Sequence, residues 1–266
     1  MRITILALGA FALVAAPAAA AGLPADPLHS PMWEFVAGQM FGEGATVRFD
    51  PRLKVDFPSI AENQRSFPVA IDARAIPGVK RLILFVDLNP IQKAIEFRPD
   101  AAQPMIEVRI KLDQRTPVRA AAQLADGSWM VNGSWIDAAG GGCSAPPVSR
   151  VKGDWALHLG EIRAARWNDA DGQRLRLAVR HPMDTGFVDN IPTYYLEKLD
   201  VMAGSQHVAT IELQASVAED PVLTIHPTTP ANTPLTIAGR DTNGRDYRAT
   251  IAPASVKTAS IAGAER

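Results

Sequence analysis

The only cysteine of the 266-residue chain, Cys143, follows three consecutive glycines, Gly140, Gly141 and Gly142, and lies between two long segments with β-strand patterning. A buried structural cysteine normally belongs to an apolar periodic segment, where it packs as a small hydrophobic side chain. Glycine leaves the backbone free to adopt many conformations and has no side chain that could cover a sulfur atom. The pattern therefore predicts a thiol displayed on a flexible arm formed by the three glycines.

The neighbours of Cys143 in the sequence indicate what kind of chemistry its thiol can do. No lysine, arginine or histidine lies within five residues of it. Because a thiolate forms readily only beside a positive charge, the segment predicts an ordinary thiol pKa of about 8.5. An enzyme that attacks unaided needs a more acidic thiol, whereas a carrier can rely on its partner for the base. The residues favour a carrier thiol, and an inert linker thiol is the alternative.

The sequence contains no second constellation that would support catalysis or metal binding. The glycine run is not followed by a helical pattern that would aim backbone amides at a phosphate, and no nucleotide-binding fingerprint or serine-nucleophile motif is present. A single cysteine cannot form a Cys-rich zinc site, and the five histidines lack metal-ligand spacing: His29, His158, His181, His207 and His226. We therefore predict no catalytic residue, no metal and no cofactor.

The first 21 residues have the pattern of a secretory signal peptide. Met1-Arg2 provides a positive start, residues 3–14 are apolar, and residues 15–21 are small apart from one proline. The apolar stretch is shorter than the roughly 20 residues that span a membrane. We expect an exported protein with no membrane partner. In an oxidising compartment an unpaired cysteine is conspicuous, because cysteines there usually form disulfides.

Composition and patterning predict an all-β protein. The net charge of −1 and the lack of any Lys/Arg cluster exclude nucleic acid as a partner. Residues 32–41 carry apolar side chains at helical spacing, which predicts a short helix packed on the first core rather than a docking site. The remainder alternates with period two between turn signals such as Asp126-Gly127 and Asn243-Gly244, which is typical of antiparallel sandwiches.

The strand segments divide into two halves around the Gly/Pro-rich stretch. We predict a signal peptide over 1–21, a β-sandwich with the N-terminal helix over 31–137, an arm and linker over 138–152, a second sandwich over 153–252, and a flexible tail over 253–266. The strands of the second half are predicted at Trp155–Arg163, Arg174–Arg180, Tyr194–Met202, His207–Leu213, Pro221–His226, Leu235–Asp241 and Tyr247–Ile251.

Several motifs resemble those of the two subunits of a bacterial sulfur-oxidation carrier. The first half is similar to the SoxY family in Phe67-Pro68-Val69, residues 84–90 (LFVDLNP), residues 116–120 (TPVRA) and the final Gly-Gly-Cys. The second half is similar to its partner family, SoxZ. It matches there in residues 181–186 (HPMDTG), in Ile191-Pro192 followed by Tyr194-Tyr195, and in residues 241–244 (DTNG). The order of these motifs resembles fused SoxYZ-like carriers that are associated with quinoprotein dehydrogenases.

The resemblance implies two immunoglobulin-like sandwiches packed on each other, as the separate subunits are. It also implies a periplasmic location and covalent attachment of sulfur intermediates, thiosulfate-derived groups among them, to the thiol of Cys143. Partner enzymes would load and process the bound group. A non-covalent accessory module for a periplasmic quinoprotein dehydrogenase is the alternative. In SoxY the cysteine lies near a free C-terminus, whereas here Ser144-Ala145-Pro146-Pro147 and a second domain follow it. We therefore expect the arm to reach partners as an internal hairpin.

Overall fold

The computed structural model describes residues 23–169 and 172–253, so the signal peptide and all but the first residue of the tail lie outside it. In chain order the elements are α1 (Trp33–Phe41), β1 (Val47–Phe49), β2 (Lys54–Asp56), β3 (Phe67–Asp72), β4 (Val79–Val86), β5 (Lys93–Pro99), β6 (Ala102–Ile110), β7 (Thr116–Leu124), β8 (Trp129–Ile136), α2 (Val148–Lys152), β9 (Ile162–Asp169), β10 (Gly172–Val179), β11 (Leu196–Ala203), β12 (Gln206–Leu213), β13 (Val222–Pro227), β14 (Leu235–Asp241) and β15 (Asp246–Ile251).

The strands of the described residues form two layers. The larger sheet has nine strands in the order β1-β8-β7-β4-β5-β12-β11-β14-β15, and the smaller has six in the order β2-β3-β6-β13-β10-β9. Only β1 and β8 pair in parallel, and the other ladders are antiparallel. The all-β fold with two sandwich halves and a short N-terminal helix is thus confirmed.

The two halves are joined through both sheets. Strand β5 of the first half pairs with β12 of the second, and β6 pairs with β13, so each sheet runs across the boundary. One continuous apolar core fills the space between the layers and includes side chains of both halves, such as Phe97, Ile106, Ile211 and Ile225. Because sheet ladders and core are shared, the halves are held as one body rather than tethered by a linker.

Helix α1 packs as its apolar spacing predicts. Trp33, Val36 and Ala37 are buried, and they lie in a second apolar cluster with Phe85 and Trp129 on the outer face of the larger sheet. The two hairpin turns are confirmed as well, because Gly127 and Gly244 have positive φ of 84° and 79° between paired strands. A left-handed residue at that position favours glycine, which explains why these dipeptides were informative.

Two sequence-based expectations about residues 138–163 are wrong. Residues 155–160 form turns instead of a strand, and β9 begins only at Ile162. Residues 148–152, expected to be linker, form α2, because Glu219 accepts the backbone N–H groups of Val148 and Ser149 at 2.6 and 2.7 Å. An acidic side chain at a helix N-terminus satisfies donors that the helix itself leaves free. That partner comes from far along the chain, where local sequence gives no sign of it.

A buried ion triad fixes the N-terminal segment to the first half. The guanidinium of Arg119 on β7 contacts Asp87 at 3.0 Å and Asp26 at 2.7 Å, and its side chain is fully buried. Asp87 lies at the start of the turn after β4, and its neighbour Asn89 extends into the site described below. The triad therefore holds the base of that turn.

Replacing Arg119 by Met should destabilise the protein by about 3–5 kcal/mol, because two buried carboxylates would lose their common partner. The loss should appear as a lower free energy of unfolding in urea. The exposed pair of Arg240 and Asp246, whose Nε–Oδ1 distance is 2.8 Å, provides the control. Arg240→Met should cost less than about 1 kcal/mol, since exposed ion pairs are screened by solvent. Equal effects for the two variants would contradict this assignment.

Candidate functional site

The thiol of Cys143 is buried, contrary to the expectation of a displayed thiol. Its residue is 1% exposed, and it is a free cysteine. The segment 140–145 lies in a groove between the end of β6 and the turn that follows β10, where the amides of Gly142 and Cys143 and the carbonyl of Cys143 are paired. The glycines thus serve a different purpose from the one predicted.

Gly142 lets the segment approach the neighbouring backbone closely. Its amide donates to the carbonyl of Leu112 at 3.0 Å, and a Cβ placed on it would lie 2.3 Å from the carbonyl oxygen of Gln64 and 2.4 Å from that of Leu112. No side chain fits in such a space. Gly140 is similar, because a Cβ there would lie 2.7 Å from the carbonyl oxygen of Asp113. Both glycines are required for docking, which corrects their assignment to a flexible arm.

The backbone of Cys143 is held from both halves of the chain. Its amide donates to Oδ1 of Asp113 at 3.1 Å, just beyond β6 in the first half. Its carbonyl accepts a hydrogen bond from Oγ1 of Thr185 at 2.6 Å, in the second half. The halves therefore meet at the cysteine, and the position of the thiol depends on both.

Asn89 fixes the wall of the groove on the first-half side. Its Nδ2 donates to the carbonyl of Lys111 at 2.7 Å, and its Oδ1 accepts from the amide of Asp113 at 3.0 Å. Asn89 is buried, so these bonds replace contacts with water. The motif of residues 84–90 that was noticed in the sequence thus sets the position of the segment 111–113.

The motif of residues 181–186 forms the opposite wall. The carbonyl of Met183 accepts a hydrogen bond from Nζ of Lys111 at 2.5 Å, and Thr185 binds the carbonyl of Cys143. Met183 has a positive φ of 52°, which turns its carbonyl toward the first half. His181 supports this turn, since its Nδ1 accepts from the amide of Met183 at 3.1 Å. Burial lowers the pKa of His181 to about 4, so its ring is neutral at pH 7.

Helix α2 fastens the chain on the far side of the cysteine. Arg150 contacts the buried carboxylate of Asp184 through Nε at 3.1 Å, and its guanidinium lies 3.7 Å from the ring centroid of Trp155. Together with Glu219 at the helix N-terminus, these contacts tie residues 148–155 to the second half. The part of the chain around the thiol that lies outside helices and strands is therefore limited to residues 137–147.

The surroundings make the docked thiol a weak nucleophile. Burial raises the pKa of Cys143 to about 12, and the carboxylate of Asp113 acts in the same direction, while Lys111 opposes them. Burial also lowers the pKa of Lys111 to about 8, against the attraction of Cys143, Asp184 and Glu219. The sequence-based value of about 8.5 is thus wrong for the docked segment, because it took no account of burial. A thiol in this state is protonated and unreactive at pH 7.

The sequence did not identify four residues as members of this site: Lys111, Asp113, Asp184 and Thr185. Lys111 directly follows β6 and continues its alternation of apolar and charged residues, a pattern typical of a solvent-facing lysine, yet it is only 5% exposed. The connection between β12 and β13 covers it, and the carbonyl of Ala215 accepts a hydrogen bond from its Nζ at 2.8 Å.

In residues 23–169 and 172–253, no three His, Cys, Asp or Glu side chains are grouped so as to hold a metal ion. In the same ranges no helix has the length and apolarity to cross a membrane.

The fold and the site define a two-part β-sandwich protein in which a single thiol is held between the parts. The family model of the sulfur oxidation protein SoxY matches residues 37–143, and that of the sulphur oxidation protein SoxZ matches residues 162–252. The chain therefore belongs to both families, with a SoxY domain that ends at Cys143 followed by a SoxZ domain in one polypeptide. The sulfur-carrier class follows from this pair of domains.

Solved structures give more distant similarities. The sulfur carrier protein SoxY from Chlorobium limicola f thiosulfatophilum is 18% identical, and the match covers 40% of this chain and 94% of that one with a TM-score of 0.35. Fibronectin(III)-like modules of Clostridium thermocellum CbhA are 7% identical over 80% of this chain and 100% of that one, with a TM-score of 0.22. No curated protein matches the chain.

Proposed function

We propose that the protein is a periplasmic carrier that holds a sulfur-containing intermediate covalently on Cys143 and presents it to partner enzymes. The observation that carries this proposal is the placement of Cys143, which terminates the SoxY domain and is bound there by Thr185 of the SoxZ domain. A carrier performs no turnover of its own. The enzymes that load, oxidise or release the bound group are its partners.

Loading requires the docked segment to leave its groove, because the thiol is buried and protonated there. The segment is held by three hydrogen bonds, which involve Leu112, Asp113 and Thr185. Each such bond contributes only about 0.5–1.5 kcal/mol, so their loss is within reach of a partner's binding energy. The thiol is therefore protected in the docked state and reactive in the released state.

The tether at α2 limits how far the released thiol can reach. Five residue-to-residue steps separate Cys143 from Val148, the first residue of α2. At about 3.3 Å per residue they span at most about 16 Å, and Pro146-Pro147 stiffens part of that length. Since both ends remain attached, the thiol enters a partner as a hairpin. We therefore expect partner enzymes with a wide, shallow entrance rather than a narrow channel.

A second candidate function is supported by the burial of the thiol. If Cys143 serves only to pack the groove, the protein is a non-covalent accessory module, and a quinoprotein dehydrogenase is the partner that its resemblance implies. In that case the two sandwiches alone should co-purify with the partner. The covalent proposal requires Cys143 itself.

The two functions differ in their response to Cys143→Ser. In cells that lack the native gene and are supplied with thiosulfate as the probe compound, thiosulfate-dependent oxygen uptake should fall to background with this variant if the carrier proposal holds. Ser144→Ala, a change at the exposed neighbouring residue, is the matched control and should retain full uptake. Full uptake with Cys143→Ser would overturn the carrier proposal and favour the accessory module.

A further inference from the structure

Lys111 is a buried ammonium group at the base of the thiol site. Its hydrogen-bond partners are neutral carbonyls, those of Met183 and Ala215, at 2.5 and 2.8 Å. Removing an ammonium ion from water is costly unless an anion compensates its charge. The position therefore calls for a negative group nearby.

The carboxylates around Lys111 are each engaged by another partner. Asp184 forms a salt bridge with Arg150, and Glu219 accepts the first two backbone amides of α2. Asp113 accepts the amide of Cys143 and is half-buried. None of the three accepts a hydrogen bond from Nζ of Lys111 in the described residues. Asp184 and Glu219 therefore attract the ammonium of Lys111 without a hydrogen bond to it, and the further group that could carry a negative charge near Lys111 is the sulfur of Cys143.

Lys111 and Cys143 are held by the same two segments of the chain. Leu112 and Asp113, which follow Lys111 directly, bind the amides of Gly142 and Cys143. On the opposite side, Lys111 binds the carbonyl of Met183, and Thr185, two residues further, binds the carbonyl of Cys143. The ammonium of Lys111 and the backbone of Cys143 are thus bound by the same two walls.

We propose that Lys111 is the counter-charge of an anionic sulfur on Cys143, so that the docked segment binds the negatively charged form of the transported group. This inference rests on the proposed carrier function and specifies the chemistry of its cargo in the docked state. The site is tight at Gly142 and nearly closed to solvent at Cys143, so it favours a compact monoanion such as a persulfide over a larger group. A neutral adduct gains nothing from Lys111, and a cationic one is repelled by it.

A double-mutant cycle can test this coupling without any cargo. Cys143→Asp places a negative charge at the site, and Cys143→Asn is its neutral isostere. Lys111→Gln removes the ammonium charge but keeps donors for the two carbonyls. The equilibrium constant for unfolding in urea is measured for the Asp and Asn variants, each with Lys111 and with Lys111→Gln. The ratio of the two constants should change tenfold or more when Lys111→Gln is introduced, because the Asp variant then loses stability.

Two further backgrounds serve as controls. Lys111→Arg retains the charge and should retain most of the coupling, which keeps the test valid if Lys111→Gln does not fold. Lys152→Gln makes the same change at an exposed lysine of α2 and should alter the ratio less than twofold. A ratio that changes less than twofold with Lys111→Gln would overturn the inference. That result would leave the carrier proposal intact, because the latter is tested separately by Cys143→Ser in cells.

Discussion

Iodoacetamide should alkylate Cys143 of the folded protein at pH 8 at least a hundredfold more slowly than it alkylates the same thiol in the urea-unfolded chain. The folded thiol has a pKa raised to about 12 by burial and by Asp113. An unfolded thiol has a pKa of about 8.5, so the thiolate fraction at pH 8 differs by about a thousandfold. Intact mass against time measures both rates.

The pH dependence of this reaction identifies the reacting state. If the docked thiol reacts, the rate should rise about tenfold per pH unit from pH 7 to 10 without reaching a plateau, because its pKa lies above that range. If the segment first leaves the groove, the rate should level off near pH 9, as for an ordinary thiol. Folded and unfolded rates within tenfold of each other at pH 8 would contradict the burial of Cys143.

Gly142→Ala should release the thiol, raising its alkylation rate at pH 8 about a hundredfold. The added Cβ would lie 2.3 and 2.4 Å from two backbone oxygens, of Gln64 and Leu112, which cannot rotate away. Overpacking of this kind costs about 1–3 kcal/mol, and about 3 kcal/mol corresponds to about a hundredfold in the docking equilibrium. The segment can escape the clash by leaving the groove, whereas the two sheets are unaffected. The free energy of unfolding in urea should therefore fall by at most about 3 kcal/mol, the amount lost on undocking, and the two sheets should still unfold cooperatively.

Gly141→Ala is the matched control for this substitution. Gly141 has a positive φ of 80°, and its added Cβ would approach only Oγ of Ser144, at 3.9 Å. The left-handed conformation costs about 1–2 kcal/mol for alanine, but no steric clash drives the segment out. The alkylation rate of Gly141→Ala at pH 8 should therefore be lower than that of Gly142→Ala. Equal rates for the two variants would contradict the close approach at Gly142.

The general fold was predictable because its signals are local. Strands β7 and β8, for example, lie on either side of Asp126-Gly127, the turn signal of their hairpin. A period of two residues and a glycine in the left-handed region are properties of a few neighbouring residues, so one sequence suffices to recognise them. Helix α1 follows in the same way from the spacing of Trp33, Val36 and Ala37.

The state of the thiol was not predictable from the sequence, because distant residues determine it. The glycines beside Cys143 have the composition of a flexible arm, and only the backbone of Gln64 and Leu112 shows that they permit close packing. Lys111 has the sequence pattern of a solvent-facing residue, yet the connection after β12 covers it. Burial and charge at the site thus arise from tertiary contacts between the halves.

The joined sheets explain why both families are needed to build the site. Strands β5 and β6 pair with β12 and β13, which brings the ends of the first-half strands beside the motif of residues 181–186. Thr185 and Met183 then reach Cys143 and Lys111 across the boundary. The SoxZ domain therefore acts as the receptor for the docked thiol, in addition to its part in the common core.

Intact mass of the protein purified from its native cells, grown with thiosulfate, tests the covalent carrier function most directly. The account predicts a species heavier than the unmodified chain by a sulfur-containing group, which disappears on treatment with a reductant and is absent from Cys143→Ser. Proteolytic fragments should place the added mass on the peptide that contains Cys143. A single unmodified mass in those cells, with and without reductant, would contradict the account.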